Sequence, residues 1–231
     1  KSQTPPFTYA GNEIEQVEIF KYLGMIMKYN RTLTPAIEYL CKAATRAMFG
    51  LQRRCQQLHL HDPIINCKLF DTLVKPILCY GCEVWSIVAN KSDLDKLERI
   101  QIGFLKRLLG VQIQTTNLHV LAEFGRYPLQ LSWQALAGKY LTRLENMGTD
   151  RLLKHAYIAD RRLKPEVSWR LRLEHQLQGL LIPSPTEEQP HRRQFSLISA
   201  QSQHIQQLSL ETSSKSMTYH QIKLGYACEP Y

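Results

Sequence analysis

Cys79-Tyr80-Gly81-Cys82 is a CxxC pair, a spacing that can present two thiols to one metal ion or let them cycle as a redox dithiol. Zinc needs further ligands, from a second CxxC or a His pair, and redox work needs a thioredoxin-like βαβ context. Neither accompanies this pair. The two cysteines flank a helix end in an apolar region and are expected to be buried thiols. His59 and His61 form an HxH just before a helix start and are expected to be exposed. His204, His220 and Cys228 lie in a polar tail without zinc-ligand spacing. There is no phosphate-binding Gly loop, no GxSxG and no HExxH. The carboxylates are scattered among helical patterns, with no Asp-Asp in a strand–turn context to hold two metal ions. From the residues alone, the chain carries no catalytic constellation.

Charge is more informative. The 231 residues carry a net charge of +9. Residues 1–30 and 183–231 are balanced, whereas 31–90 hold seven basic against four acidic residues and 91–182 hold fifteen against nine. The excess sits in the central part, and a basic helical body favours a polyanionic partner, most often nucleic acid. No run of about 18 apolar residues exists, so no membrane span is expected. No signal-peptide pattern follows Lys1, and the chain reads as a fragment of a longer product. The spread of the six cysteines suggests reduced, buried thiols, and the chain is expected to be intracellular, nucleus and cytoplasm both open.

The elements that carry these residues follow from pattern. The fold class expected is mainly α: a helical bundle preceded by a small antiparallel β unit and followed by a disordered tail. Residues 1–30 form the β unit, 31–160 the helical body, 161–182 a further helix, and 183–231 a largely disordered tail with at most a turn or two near 205–210. The run Val17–Met27 is the most strand-like in the chain, and Gly24 in its middle suggests a bulge or a close backbone approach. Ala10-Gly11-Asn12 is a turn signal ahead of it. Thr34-Pro35 opens a helix whose apolar face is Ile37, Leu40, Cys41, Ala44, Met48 and Leu51. Asp62-Pro63 opens a second, apolar on more than one side and expected to be central, with Pro76 kinking it. Ser92 and Asp95 are the expected capping pair of a third, with Leu97, Ile100, Gln101, Phe104 and Leu105 inward and Gly110 as its left-handed cap. Further helices follow near 118–124, after Pro128, over 150–156 and over 166–180.

Several of these runs together resemble a known family. Phe20-Lys21-Tyr22-Leu23-Gly24 resembles the FxYLG segment that follows the polymerase active site in reverse transcriptases of non-LTR (LINE-type) retrotransposons. Lys75-Pro76-Ile77-Leu78-Cys79-Tyr80-Gly81-Cys82-Glu83-Val84-Trp85 resembles their P-x-L-x-Y-G-x-E-x-W. Glu98-Arg99-Ile100-Gln101 with Phe104-Leu105-Lys106-Arg107-Leu108-Leu109-Gly110 resembles E-x-x-Q-x-x-F-x-R-x-x-L-G, and Glu123-Phe124-Gly125-Arg126-Tyr127-Pro128-Leu129 resembles E-x-G-x-x-P-L. Order and spacing agree over roughly residues 5–160. In that family both CxxC positions are commonly other residues, which again favours plain buried thiols.

The resemblance implies the end of a polymerase palm followed by its thumb and a connecting region. The family's catalytic Y-x-D-D strand lies upstream and does not occur here. The chain alone is therefore expected to be inactive and to need no cofactor, magnesium belonging to the missing palm. Its expected partner is an RNA–DNA or RNA template–primer duplex, with the upstream palm and fingers if present. The candidate contacts are Arg46, Arg53, Arg54, Arg99, Lys106 and Arg107, chosen as outward-facing cations that follow phosphates. The run Lys21, Tyr22, Leu23 and Gly24 would grip the primer. The alternative is a decayed or repurposed helical module with a protein partner and no nucleic-acid activity.

Overall fold

A computed structural model describes residues 7–30 and 32–177, together with the backbone of two short strands at 181–183 and 193–195. The expectations for the rest of the tail fall outside the described residues. The architecture is mainly α. Strands β1 (Thr8–Tyr9) and β2 (Asn12–Glu13) pair antiparallel, and so do β3 (Ile19–Tyr22) and β4 (Met25–Lys28). The helices are α1 (Thr34–Gln57), α2 (Pro63–Leu73), α3 (Lys75–Leu78), α4 (Cys82–Trp85), α5 (Lys91–Leu109), α6 (Asn117–Glu123), α7 (Leu129–Glu145), α8 (Leu152–Asp160) and α9 (Trp169–Gln176). Antiparallel β5 (Leu181–Pro183) and β6 (Arg193–Phe195) follow. No described helix is long and apolar enough to cross a membrane.

The strand-like run Val17–Met27 is not one strand. It folds back at Leu23-Gly24, whose φ angles of 45° and 83° are both positive, and pairs Tyr22 with Met25 and Ile19 with Lys28. Two positive φ angles in a two-residue loop match the right-handed twist of the strands they join. Gly24 is thus a hairpin turn, not a bulge. Ala10-Gly11, with φ angles of 51° and 82°, turns the smaller hairpin in the same way.

Helix starts differ from the simplest pattern in two places. Thr34 is the first helical residue of α1 rather than its cap. Its hydroxyl donates to Asp93 Oδ2 at 2.7 Å, joining α1 to α5. Asn90, not Ser92, caps α5: its side chain accepts from the Asp93 amide at 2.8 Å and donates to the Asp93 carboxylate at 3.0 Å. The expected pairing has moved two residues toward the N-terminus, because Asp93 must reach Thr34 and Lys96 as well. Asp62 caps α2 as expected, accepting from the Ile64 and Ile65 amides. Instead of a kink at Pro76, the helix stops at Val74 and restarts, leaving proline in the first turn of α3, where no N–H is required. The segment enters the core by one side only: Phe70, Val74 and Leu78 are fully buried, whereas Ile64, Ile65 and Leu73 are exposed.

Among the described residues the interior has two apolar clusters. The larger joins α1, α5, the α2–α4 segment and α6 around Ile37, Leu40, Met48, Phe70, Leu78, Trp85, Leu97 and Phe104. The smaller gathers Ala137, Leu141, Leu144, Tyr157, Leu173 and Leu177 with Ile87. Helix α7 serves both. Trp133, near its start, packs edge-on against Trp85 with ring centroids 5.4 Å apart and donates to the Leu78 carbonyl at 3.1 Å. Trp169 of α9 reaches back to the Glu83 carbonyl at 3.2 Å. Burying large aromatic bodies while satisfying each indole N–H ties the second cluster to the first.

Candidate nucleic-acid interface

The solvent face of α1 is basic. Tyr39, Arg46 and Arg53 lie seven residues apart and share one side of the helix, a stripe about 21 Å long at 1.5 Å per residue. Lys42 falls on the same side, and Lys42, Arg46 and Arg53 are exposed. The β3–β4 hairpin adds a cation at one end. Lys21 Nζ donates to the Tyr39 hydroxyl at 3.0 Å and sits 4.5 Å from the centre of its ring. That hydrogen bond, with the charge behind it, holds the Tyr39 phenol below its ordinary value.

The last turn of α5 contributes Arg107. Its guanidinium donates to Met48 Sδ at 3.0 Å and lies over the exposed Phe49 ring at 5.0 Å. Partial burial lowers its pKa from the ordinary arginine range, yet a guanidinium stays charged. Phe49 is three residues from Arg46 and four from Arg53, so three arginines surround one exposed aromatic ring. Arg99, eight residues back along α5 and about 80° around it from Arg107, is exposed, with its Nε donating to the Asp95 carbonyl at 3.1 Å. Lys96 between the helices is neutralised by Asp93 at 2.7 Å and Glu38 at 3.6 Å.

Two sequence candidates do not join this surface. Lys106 was expected to face outward beside Arg107, but it is buried, and its ammonium donates to the Ile113 carbonyl at 2.6 Å. It closes the loop after α5. Arg54 is exposed but lies a helical step of about 100° from Arg53, on the other flank of α1, where it bonds Gln57 at 3.4 Å. Sequence reasoning left Tyr39 and Phe49 unnamed as site residues. Their spacing from Arg46 and Arg53 was the available signal.

The gripping run holds a defined shape. Tyr22 and Leu23 are exposed at the hairpin tip, and the Tyr80 hydroxyl donates to the Leu23 carbonyl. Gly24 lies against the same tyrosine: a β-carbon added to it would fall 3.5 Å from Tyr80 Cε1. Tyr80 is fixed in turn by Trp85, whose indole donates to its carbonyl at 2.8 Å. Further along the chain, half-buried Glu98 accepts from the Leu129 amide at 2.8 Å, and Gln101 donates to the Tyr127 carbonyl at 3.0 Å. Burial pushes the Glu98 carboxyl up to about 7, against the opposing effect of the amides it accepts from at the start of α7.

The CxxC pair is half-buried at Cys79 and fully buried at Cys82. The two thiols interact: hydrogen bonding between them lowers the Cys79 pKa and, with burial, raises that of Cys82. His59 and His61 are both exposed. Among the described residues, no group of three or more His, Cys, Asp or Glu side chains is placed to hold a metal ion.

Compared with known proteins, the chain is 28% identical over 101 residues to a transposon-derived, uncharacterized protein of Caenorhabditis elegans. The aligned part is 44% of this chain and 35% of that protein, so the chain spans about a third of the length of the relative it matches. A transposon-related origin has that support. No protein-family profile matches the chain, and no solved structure matches it.

Proposed function

We propose that this chain is the end of the palm and the thumb of a non-LTR retrotransposon reverse transcriptase, and that it holds a template–primer duplex by its phosphates. The observation that carries this reading is the placement of Lys21, Lys42, Arg46, Arg53 and Arg107 on the adjoining faces of the hairpin, α1 and the end of α5. Cations on a rigid helical frame suit contacts to a phosphate backbone, which position a duplex without reading its sequence. A second support is internal. The segments that carry the family resemblance touch one another: Leu23 with Tyr80, Glu98 with Leu129, and Gln101 with Tyr127. The transposon-derived relative agrees with such an origin.

In this reading the hairpin presents Tyr22-Leu23-Gly24 to the primer end, and the exposed apolar side chains of Phe20 and Met27, paired on one face of the hairpin, face the rest of the palm. The chain binds but incorporates no nucleotide by itself. The test is fluorescence anisotropy of a labelled RNA–DNA duplex titrated over salt, with wild type and an Arg46/Arg53/Arg107→Gln variant. The salt slope is expected to fall by about 2 to 3 in the variant, close to 0.9 per phosphate contact. An unchanged slope and affinity in a folded variant overturns the assignment of this face, and primer extension by the chain alone overturns the claim of inactivity.

A further inference from the structure

A second set of basic residues flanks α8 and fills the turn into α9. Residues 150–172 hold seven basic against three acidic residues. Three of the seven are used internally. Lys154 donates to the carbonyls of Leu144 and Glu145 at 2.8 and 2.9 Å and so caps α7. Arg170 pairs with Glu174 at 3.2 Å, and Arg172 donates to the Glu166 carbonyl. The acid at the turn is used as well: Asp160 accepts from the Ser168 hydroxyl and from the Trp169 and Arg170 amides at 2.8 to 3.1 Å. That leaves Arg151, Arg161, Arg162 and Lys164, all exposed, with no ion pair to any described residue.

These four cations stand on ordered backbone. The Val167 and Ser168 amides donate to the Lys164 carbonyl at 2.9 Å, and the Arg162 amide donates to Ala159 at 3.0 Å. Arg151 and Arg161 bracket a helix of 9 residues, about 15 Å from one to the other. One strand of a duplex advances about 3.4 Å per phosphate, so the patch spans roughly four phosphates. A membrane surface fits less well. An interfacial helix carries its cations along its polar face, whereas α8 has one lysine, committed to α7, and buries Tyr157 at its middle.

We propose that Arg151, Arg161, Arg162 and Lys164 form a second nucleic-acid contact, separate from the α1–α5 face, that binds the phosphodiester backbone. The inference rests on the nucleic-acid reading above for its choice of partner. The test uses the full chain with two variants. In Arg151/Arg161/Arg162/Lys164→Gln, the anisotropy salt slope for an RNA–DNA duplex is expected to fall by about 3 to 4 while circular dichroism and melting stay unchanged. In Arg151/Arg161/Arg162→Lys the slope is expected to be retained, because charge suffices for a backbone contact. An unchanged slope in the Gln variant overturns the proposal, as does an equal loss in the Lys variant. So does a Gln variant whose only defect is in binding phosphatidylserine vesicles or a polyglutamate peptide. The Arg46/Arg53/Arg107→Gln variant, measured alongside, separates the two faces. If it alone is silent, the α1–α5 assignment fails and the α8–α9 contact stands.

Discussion

The Tyr80 hydroxyl donates to the Leu23 carbonyl across 57 residues of sequence, binding the tip of the β3–β4 hairpin to the turn between α3 and α4. Leu23 is held at φ 45°, a left-handed conformation unusual for a leucine. The hydrogen bond, the strand pairing from Tyr22–Met25 outward and the close approach of Gly24 to the tyrosine ring keep it there.

Tyr80→Phe removes the hydroxyl and leaves the ring. The loss is expected to be about 1 kcal/mol, the net worth of one hydrogen bond, and local to the hairpin. Hydrogen exchange is expected to show faster amide exchange over residues 19–28 and little change in α5 or α7.

The turn itself makes opposite predictions for its two residues. Gly24→Ala meets no steric obstacle, since 3.5 Å is an ordinary contact, but φ 83° costs a side chain about 1 kcal/mol. Leu23→Asn places an Asn-Gly turn where both φ angles are positive and is expected to stabilise the hairpin. Thermal melting of both variants checks the signs; an equal effect from the two would contradict the turn geometry.

Glu98 gives the chain a pH dependence. Its folded pKa of about 7 lies above the ordinary 4.5, so the folded protein holds a proton that the unfolded chain has released. Its contribution is complete below about pH 4.5, fades as pH rises and is gone above about 7, on the order of 3 kcal/mol in all. Glu98→Gln keeps a carbonyl for the Leu129 amide and removes the titration. Urea unfolding at pH 5 and pH 8 is expected to show a smaller difference in the variant than in wild type.

Adjacent Lys106 and Arg107 are expected to behave as different kinds of residue. Lys106→Ala loses a buried hydrogen bond to Ile113 and costs about 1 to 2 kcal/mol of stability, with the salt slope of duplex binding unchanged. Arg107→Gln lowers that slope by about 0.9 and changes stability less. Paired unfolding and salt titrations on the two single variants check this.

Much was readable along the chain, because helices declare themselves locally. Periodicity marked the buried side of α1 from Ile37 to Leu51 and of α5 from Leu97 to Leu105, and Asp62 and Gly110 marked helix ends. The basic stripe Arg46–Arg53 was legible for the same reason: seven residues return to one side of a helix.

What the linear order left undecided was set by partners distant in sequence. The run Val17–Met27 has strand composition throughout, and only pairing of Tyr22 with Met25 under Tyr80 turns it into a hairpin. Thr34 looks like a cap, but Asp93 claims its hydroxyl. Lys106 and Arg107 are neighbours of like charge, and one is drawn inward to a loop carbonyl while the other lies over Phe49. By itself the sequence determined where helices run and which of their sides are apolar or basic, since both depend on the repeat of a single helix. Tertiary structure decided which cations remain free and where the hairpin tip is held, since a charge is free or committed according to the donors and acceptors that other elements bring to it.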